Sequence, residues 1–140
     1  MAAIKSQLFI GKIVHVDNFP SSDCSEATHG HWVVVVHIGN DGDERIIAAG
    51  ISTIRNDALP ENSIELLGKP GGCPQTGLTV RSALQYDWLN VIPLDEMTNT
   101  KHRIRGHKLS AIITQGQQFV AKKLAEKQPC KPDVTDKKQL

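Results

Sequence analysis

The feature that most constrains the fold is a pair of apolar segments joined by a short polar turn. The first, HWVVVVHI, carries four consecutive valines, and the second, RIIAAGISTI, is also largely apolar. They are joined by GNDGDE, whose Gly and Asn-Asp residues tolerate the positive φ angles of a tight hairpin. A strand that is apolar at nearly every position is typical of a central strand with both faces buried. The pair therefore predicts a β-hairpin at the centre of a curved sheet or barrel.

Further strand patterns lie on both sides of this hairpin. Apolar residues alternate from Leu8 to Val16, and Lys12 is the polar exception within that alternating set. Later in the chain, NSIELLG predicts one strand, and LTVRSALQYDWLNVIPL predicts another with a break near Tyr86 and Asp87. Short strands at such intervals predict a small antiparallel barrel or sandwich.

After Gly106 the apolar spacing changes to that of a helix. The positions that keep the i, i+3, i+4 spacing are Leu109, Ile112, Ile113, Val120 and Leu124. Ser110 is a candidate N-cap, and the helix is expected to fade near Lys127. We therefore predict one domain over residues 1–128, followed by a polar, disordered tail over residues 129–140.

Composition excludes some classes of function. Sixteen basic and fifteen acidic residues give a net charge of +1, so no global field marks a nucleic-acid binder, and any anion site must come from local clustering. An aromatic share of 4% argues against extended base-stacking platforms. Three cysteines with no CxxC pair, no signal peptide and no membrane-spanning run predict a cytoplasmic protein.

In their order along the chain, several strings resemble the MazF/PemK family, the toxins of bacterial toxin–antitoxin pairs. IGKIVHVDNFP resembles the family's opening strand, and SEATHGHWVVVV its Glu, Gly, Arg-Pro and apolar strand. IIAAGISTIRNDALP resembles its third strand, which ends in Ile-Thr before a loop and Leu-Pro. GLTVRSALQYDWLNVIPLDEM and RGHKLSAIITQGQQF are similar to its later strand and its Gly-x-Leu helix start.

This resemblance spans roughly residues 8–127. It implies a mainly β protein, a small SH3-like antiparallel β barrel with a C-terminal α-helix. It also implies a homodimer that cuts single-stranded RNA without a metal or other cofactor, with an antitoxin protein as its partner.

The chain departs from the family at the reaction site. The Arg-Pro position falls on His31-Trp32, and the Thr position falls on Ser52 or Thr53. Arg stabilises the charge that develops when a ribose 2′-OH attacks phosphorus, whereas His can exchange a proton. We predict His31, Ser52 and Thr53 as the catalytic residues of an endoribonuclease with an altered site. The alternatives are a catalytically inactive dimeric module that captures a peptide or protein, and a regulator that binds nucleic acid without cutting it.

The densest basic stretch is TKHRIRGHK, directly before the helix. Lys101, Arg103 and Arg105 are predicted to contact RNA phosphates, and Arg55 and Arg81 are further candidates if the barrel mouth faces RNA. A solvated connector before the helix is the alternative interpretation of the basic stretch.

A metal site is a weaker prediction. Cys24, His29, His31 and His37 are near one another in the sequence, and a His-x-His pair on a strand points two rings to one face. The Cys24 spacing fits no standard zinc pattern, so no metal is expected.

Overall fold

The computed structural model describes residues 7–20, 30–40, 42–54, 58–74 and 76–125. Within these residues the strands and the α-helix are β1 (Ile13–Val16), β2 (His31–Asn40), β3 (Asp43–Thr53), β4 (Ser63–Leu66), β5 (Ser82–Val91), β6 (Met97–Thr98) and α1 (Gly106–Ala125). A short 3-10 turn, Leu94–Glu96, precedes β6. The predicted tail over residues 129–140 lies outside the described residues.

The strands form one antiparallel sheet in the order β4-β5-β3-β2-β1-β6. The predicted hairpin, β2 with β3, lies at its centre, with Val33 opposite Gly50 and Val34 opposite Ala49. The prediction of a mainly β protein with a C-terminal helix is confirmed. Strand pairing leaves β4 and β6 as the two edges, so hydrogen bonding among the described strands does not close a barrel.

Both faces of the central strands are buried, which explains the unbroken valine run. On one face Val33 and Val35 pack in a core with Trp88 and Met97. On the other face Val34 packs in a second core, which also contains residues of β4, β5 and α1. Side chains alternate along a strand, so a strand between two cores must be apolar at odd and even positions alike.

The predicted break in the last long strand is a large register shift rather than an interruption. Leu84 lies opposite Ile51 and Leu89 lies opposite Ala49, so four residues of β5 stand opposite Gly50 alone. The indole of Trp88 fills the space over Gly50, where an added Cβ would lie 2.2 Å from a ring carbon. The Trp88 Nε1–H donates to the carbonyl of Pro20 at 2.7 Å and fixes the ring there.

The helix begins at Gly106, so the prediction of Ser110 as its N-cap is wrong: Ser110 lies inside the helix. Its buried residues are Ile112 and Gly116, which face the sheet. Among the described residues, no helix has the length and apolar character needed to cross a bilayer.

The first turns of α1 bring distant parts of the sheet together. The Lys108 Nζ donates to the carbonyl of Glu65 in β4 at 2.6 Å. The next residue, Leu109, packs against Gly11 just before β1, where an added Cβ would lie 2.9 Å from its side chain. Because β4 is an edge strand and β1 is next to the other edge, the sheet must curve strongly around the start of the helix.

Candidate functional site

His31 lies at the first position of β2, opposite Val16 of β1. Its ring is half-buried and meets the Trp88 indole edge-on, with centroids 5.1 Å apart and planes at 82°. The Phe19 ring is 6.5 Å away, also centroid to centroid. The imidazole is thus held in an aromatic cluster at the end of the strand, without being sealed in the interior.

The two hydroxyl residues predicted beside His31 face opposite sides of the sheet. Ser52 continues the alternation of Ala48 and Gly50 and so lies on the face that carries His31. Its Oγ accepts a hydrogen bond from Gln85 Nε2 at 2.8 Å. Thr53 points to the other face. Register therefore brings Ser52, and not Thr53, to the face of the sheet that carries His31.

Trp32 belongs to a different surface cluster. It lies opposite His15 of β1, and the two rings meet edge-on at 5.1 Å. Gly30 permits this arrangement because an added Cβ would lie 2.4 Å from the His15 ring. Trp32 is 41% exposed, so this indole lies at the surface rather than in a core.

A second candidate site lies at the other end of β1 and combines two cations with one aromatic ring. The Lys12 Nζ lies 5.4 Å from the centroid of the Phe9 ring, and the Arg103 guanidinium carbon lies 5.0 Å from it. Lys12 and Arg103 face each other in an isolated antiparallel bridge. Lys12 is only 7% exposed, and among the described residues no carboxylate forms an ion pair with it or with Arg103.

The charge state of Lys12 reflects this environment. Burial, and then the neighbouring Arg103 charge, lower the pKa of Lys12 from its ordinary value. The attraction of both cations to the Phe9 quadrupole offsets part of their mutual repulsion. Two cations held together without a carboxylate leave a net positive charge that an anion can neutralise.

The backbone after β6 completes this second site. Ile13 N–H donates to the carbonyl of His102 at 3.1 Å, and Thr100 Oγ1 donates to the carbonyl of Ile13. The segment therefore follows the outer side of β1. It places the exposed Lys101 and the half-buried Asn99 beside Lys12 and Phe9, around an open groove of about 700 Å³. Within the part of the chain that the structure describes, the buried Asn99 Oδ1 and His102 Nδ1 atoms have no hydrogen-bond partner.

The structure gathers only part of the predicted RNA-binding set. Lys101 and Arg103 lie at the second candidate site, which we call the cation cluster (Phe9, Lys12, Lys101 and Arg103). Arg105 is exposed and lies two residues after Arg103 in the sequence. Arg81 instead pairs through Nε and Nη2 with Glu65, and Arg55 lies outside the described residues.

Sequence reasoning did not assign Phe9 and Lys12 to a site. One signal for Lys12 was present, because it interrupts an otherwise apolar alternating set that leads into a buried strand. The pairing of Lys12 with Arg103, distant in sequence, follows from the course of the chain after β6.

Among the described residues, no group of three or more His, Cys, Asp or Glu side chains could hold a metal ion. Cys24 and His29 lie outside those residues. Searches of protein-family models, curated proteins and solved structures gave no match to this chain. The resemblance of its strings to the MazF/PemK family therefore stays a prediction.

Proposed function

We propose that this chain is a MazF/PemK-like, toxin-type protein that binds single-stranded RNA. The observation that carries the proposal is the pair of cations, Lys12 and Arg103, held over Phe9 without a carboxylate partner among the described residues. Phosphate groups of a nucleic-acid backbone are the ligands that such a cluster attracts, and Lys101 extends it. The net charge of only +1 makes this local concentration the source of the attraction.

The proposal includes the finer architecture, an SH3-like antiparallel barrel. Support comes from two contacts of α1 that bring the regions of β4 and β1 towards each other. Lys108 hydrogen-bonds the Glu65 carbonyl in β4, and Leu109 packs against Gly11 just before β1. Gly77, between β4 and β5, approaches the ring of His102, where an added Cβ would lie 2.6 Å from ring atoms. Loops and the helix would thus cover the gap that strand pairing leaves open.

Cleavage is the second part of the proposal and is assigned to the cluster of His31, Phe19 and Trp88, which lies at the end of β1. His31 would accept the proton of a ribose 2′-OH as the oxygen attacks the adjacent phosphorus. The bond from phosphorus to the 5′-oxygen of the next nucleotide would break, that oxygen would take a proton from solvent water, and a 2′,3′-cyclic phosphate would remain. Ser52 would hydrogen-bond a phosphate oxygen from the same face of the sheet. Lys12 is four residues from Val16, the neighbour of His31, or about 13 Å along a strand. The cation cluster would therefore hold a neighbouring phosphate, and Arg55 is the proposed cation at the reacting one.

One observation favours the alternative of a catalytically inactive module. The His31 ring packs edge-on against Trp88, which is a structural use that needs no reaction, and Thr53 lies on the opposite face of the sheet from His31. In this alternative the dimer keeps its fold and captures a peptide or protein partner. In both versions we propose a cytoplasmic homodimer, with an antitoxin protein as the partner of the toxin form.

Binding and cleavage of a fluorescein-labelled single-stranded RNA in chelator test both parts. Arg103→Gln and Lys12→Gln should each weaken binding several-fold. Each should also make the slope of log affinity against log salt concentration shallower by the amount expected for about one phosphate contact. Arg81→Gln is the matched control, since it removes a charge that is already paired with Glu65. Wild-type affinity in both cluster variants, or losses equal to that of the control, would refute the assignment of the phosphate site.

Cleavage is followed on the same RNA and on a version with a 2′-deoxy substitution at the cut. His31→Ala should abolish cleavage while leaving binding close to that of the wild type, and His31→Phe, which keeps a ring against Trp88, should also be inactive. Binding without cleavage by the wild type would establish the inactive module instead. Retained cleavage in His31→Phe would exclude His31 as the acid or base.

A further inference from the structure

A groove of about 740 Å³ between α1 and β5 shares no lining residue with the His31 cluster or the cation cluster. Its aromatic part is formed by Tyr86 and Phe119, whose rings stack with centroids 6.2 Å apart and planes at 19°. The amides that line it are Asn62, Gln115, Gln117 and Gln118. No described residue that lines this groove carries a charge, although 22% of the chain is charged.

The polar groups of the groove are partly oriented. The Tyr86 hydroxyl donates to Gln115 Oε1 at 3.1 Å, which occupies that oxygen and leaves the amide N–H groups of Gln115 as donors. Gln118 is exposed, and among the described residues its amide has no hydrogen-bond partner. The groove therefore offers amide donors and an amide acceptor beside the half-buried ring of Phe119, while the buried Tyr86 packs against that ring and orients Gln115.

This combination matches one nucleobase better than the others. On the base edge that carries N7 in purines, Arg and Lys pair with guanine, and Asp and Glu accept from the amino group of cytosine. Asn and Gln pair bidentately with adenine on this edge through N6 and N7, whereas uracil presents only its O4 acceptor there. Unpaired bases are recognised by stacking on aromatic side chains together with hydrogen bonds to their edges. A groove with amides and an accessible aromatic ring but no charged side chain is suited to adenine.

We propose that this groove binds an unpaired adenine base and gives the protein a base preference. The inference rests on the proposed binding of single-stranded RNA as the source of the base; free adenosine is the other source of the same chemistry. The basic stretch ends at Lys108, and Gln115 lies seven residues further along α1, or about 10 Å by the helix rise. A strand held at the helix end of the basic stretch would therefore bring a base within reach of the groove.

The experiment compares a uridine octamer with octamers that carry one central adenine, guanine or cytosine. The wild type should bind the adenine strand tightest, by roughly five- to tenfold over the uridine octamer, the lower part of the range for a bidentate amide–base pair in an open groove. Gln115→Ala and Gln118→Ala should reduce that ratio towards one and leave binding of the uridine octamer unchanged. Both sites are exposed helix positions, where alanine is favourable.

Ser110→Ala is the matched control, because Ser110 is an exposed, uncharged residue of the same helix outside the groove. The control should keep the full adenine preference. Equal binding of all four octamers by the wild type, or an unchanged preference in both glutamine variants, would overturn the inference while leaving RNA binding intact.

A second arm separates this inference from the proposed function. Free adenosine, added in excess, should shift the side-chain amide NMR signals of Gln115 and Gln118, whereas uridine should not. If no octamer binds but adenosine produces these shifts, the RNA proposal fails and the groove is a nucleoside site. If neither the octamers nor adenosine binds, both proposals fail.

Discussion

Replacing Gly50 with alanine tests the packing of the centre of the sheet. A Cβ at this position would lie 2.2, 2.3 and 2.6 Å from three atoms of the Trp88 indole, far inside van der Waals contact. The ring must move, and overpacking of this kind costs about 1–3 kcal/mol. Movement of the indole also strains the hydrogen bond from Trp88 Nε1 to Pro20, worth about 1 kcal/mol. Gly50→Ala should therefore lower the free energy of unfolding by about 2–4 kcal/mol.

Urea unfolding followed by tryptophan fluorescence and circular dichroism measures this loss. For a slope of about 2 kcal/mol per molar urea, the middle of the usual range, the midpoint should fall by about 1–2 M with the slope unchanged. The matched control is Gly116→Ala in α1, where the added Cβ would lie 3.4 Å from the Tyr86 ring, an ordinary contact. This variant should be more stable by up to about 1 kcal/mol, because alanine favours the helix.

Two outcomes would refute the reasoning. A Gly50→Ala protein within about 0.5 kcal/mol of the wild type, the usual scatter of surface substitutions, would mean that the indole does not occupy the space over Gly50. Equal destabilisation by both substitutions would mean that the contrast between the strand and helix glycines is wrong.

Two further predictions concern titrating groups. Lys12→Met should be more stable than the wild type at pH 7, since it removes a buried cation beside Arg103. The native pKa of Lys12 lies below 10.5, so the native state releases this proton at a lower pH than the unfolded state does. The stability difference between Lys12→Met and the wild type should therefore shrink as pH rises from that lowered pKa to 10.5. Urea titrations at pH 7 and at about pH 10 measure this difference, and a constant value would contradict the prediction. Tyr86 is the only tyrosine of the chain, and burial raises its pKa above 10.0. The phenolate absorbance of the native protein should therefore develop above pH 10.0. The free energy of unfolding should fall as pH rises past 10.0, because the unfolded state loses the proton first. Tyr86→Phe should remove the absorbance change and lower the free energy of unfolding by about 0.5–1.5 kcal/mol through the lost hydrogen bond to Gln115. Ionisation of Tyr86 in the native protein at or below pH 10.0 would refute the burial of the hydroxyl.

The elements that local chemistry specifies could be predicted from the sequence. The valine run and its Gly-Asn-Asp turn indicate the central hairpin without any tertiary information, and the apolar spacing after Gly106 indicates the helix. The start of the helix was misplaced because Ser110 has N-cap chemistry although the chain is already helical at Gly106. The anomaly near Tyr86 in the strand pattern is also local, and the structure shows it as extra residues opposite Gly50.

The candidate sites depended on contacts that no local pattern contains. Lys12 and Arg103 meet because the segment after β6 follows β1, and neither the pairing nor the nearby Phe9 ring can be deduced from spacing. Register decides that Ser52 shares a face with His31 while Thr53 does not, and register is set by the whole sheet. The amide groove likewise requires the packing of α1 against β5.

The contact of Lys108 with Glu65 has a consequence for how copies of the protein behave in concentrated solution. A strand at the margin of a sheet presents main-chain groups that can recruit the same strand of another molecule and begin a fibril. On β4 the ammonium group of Lys108 occupies the Glu65 carbonyl and adds a charge beside that margin. Acetylation of this lysine would remove the charge and weaken its hold on the carbonyl, so the β4 margin would be less protected against pairing with another copy.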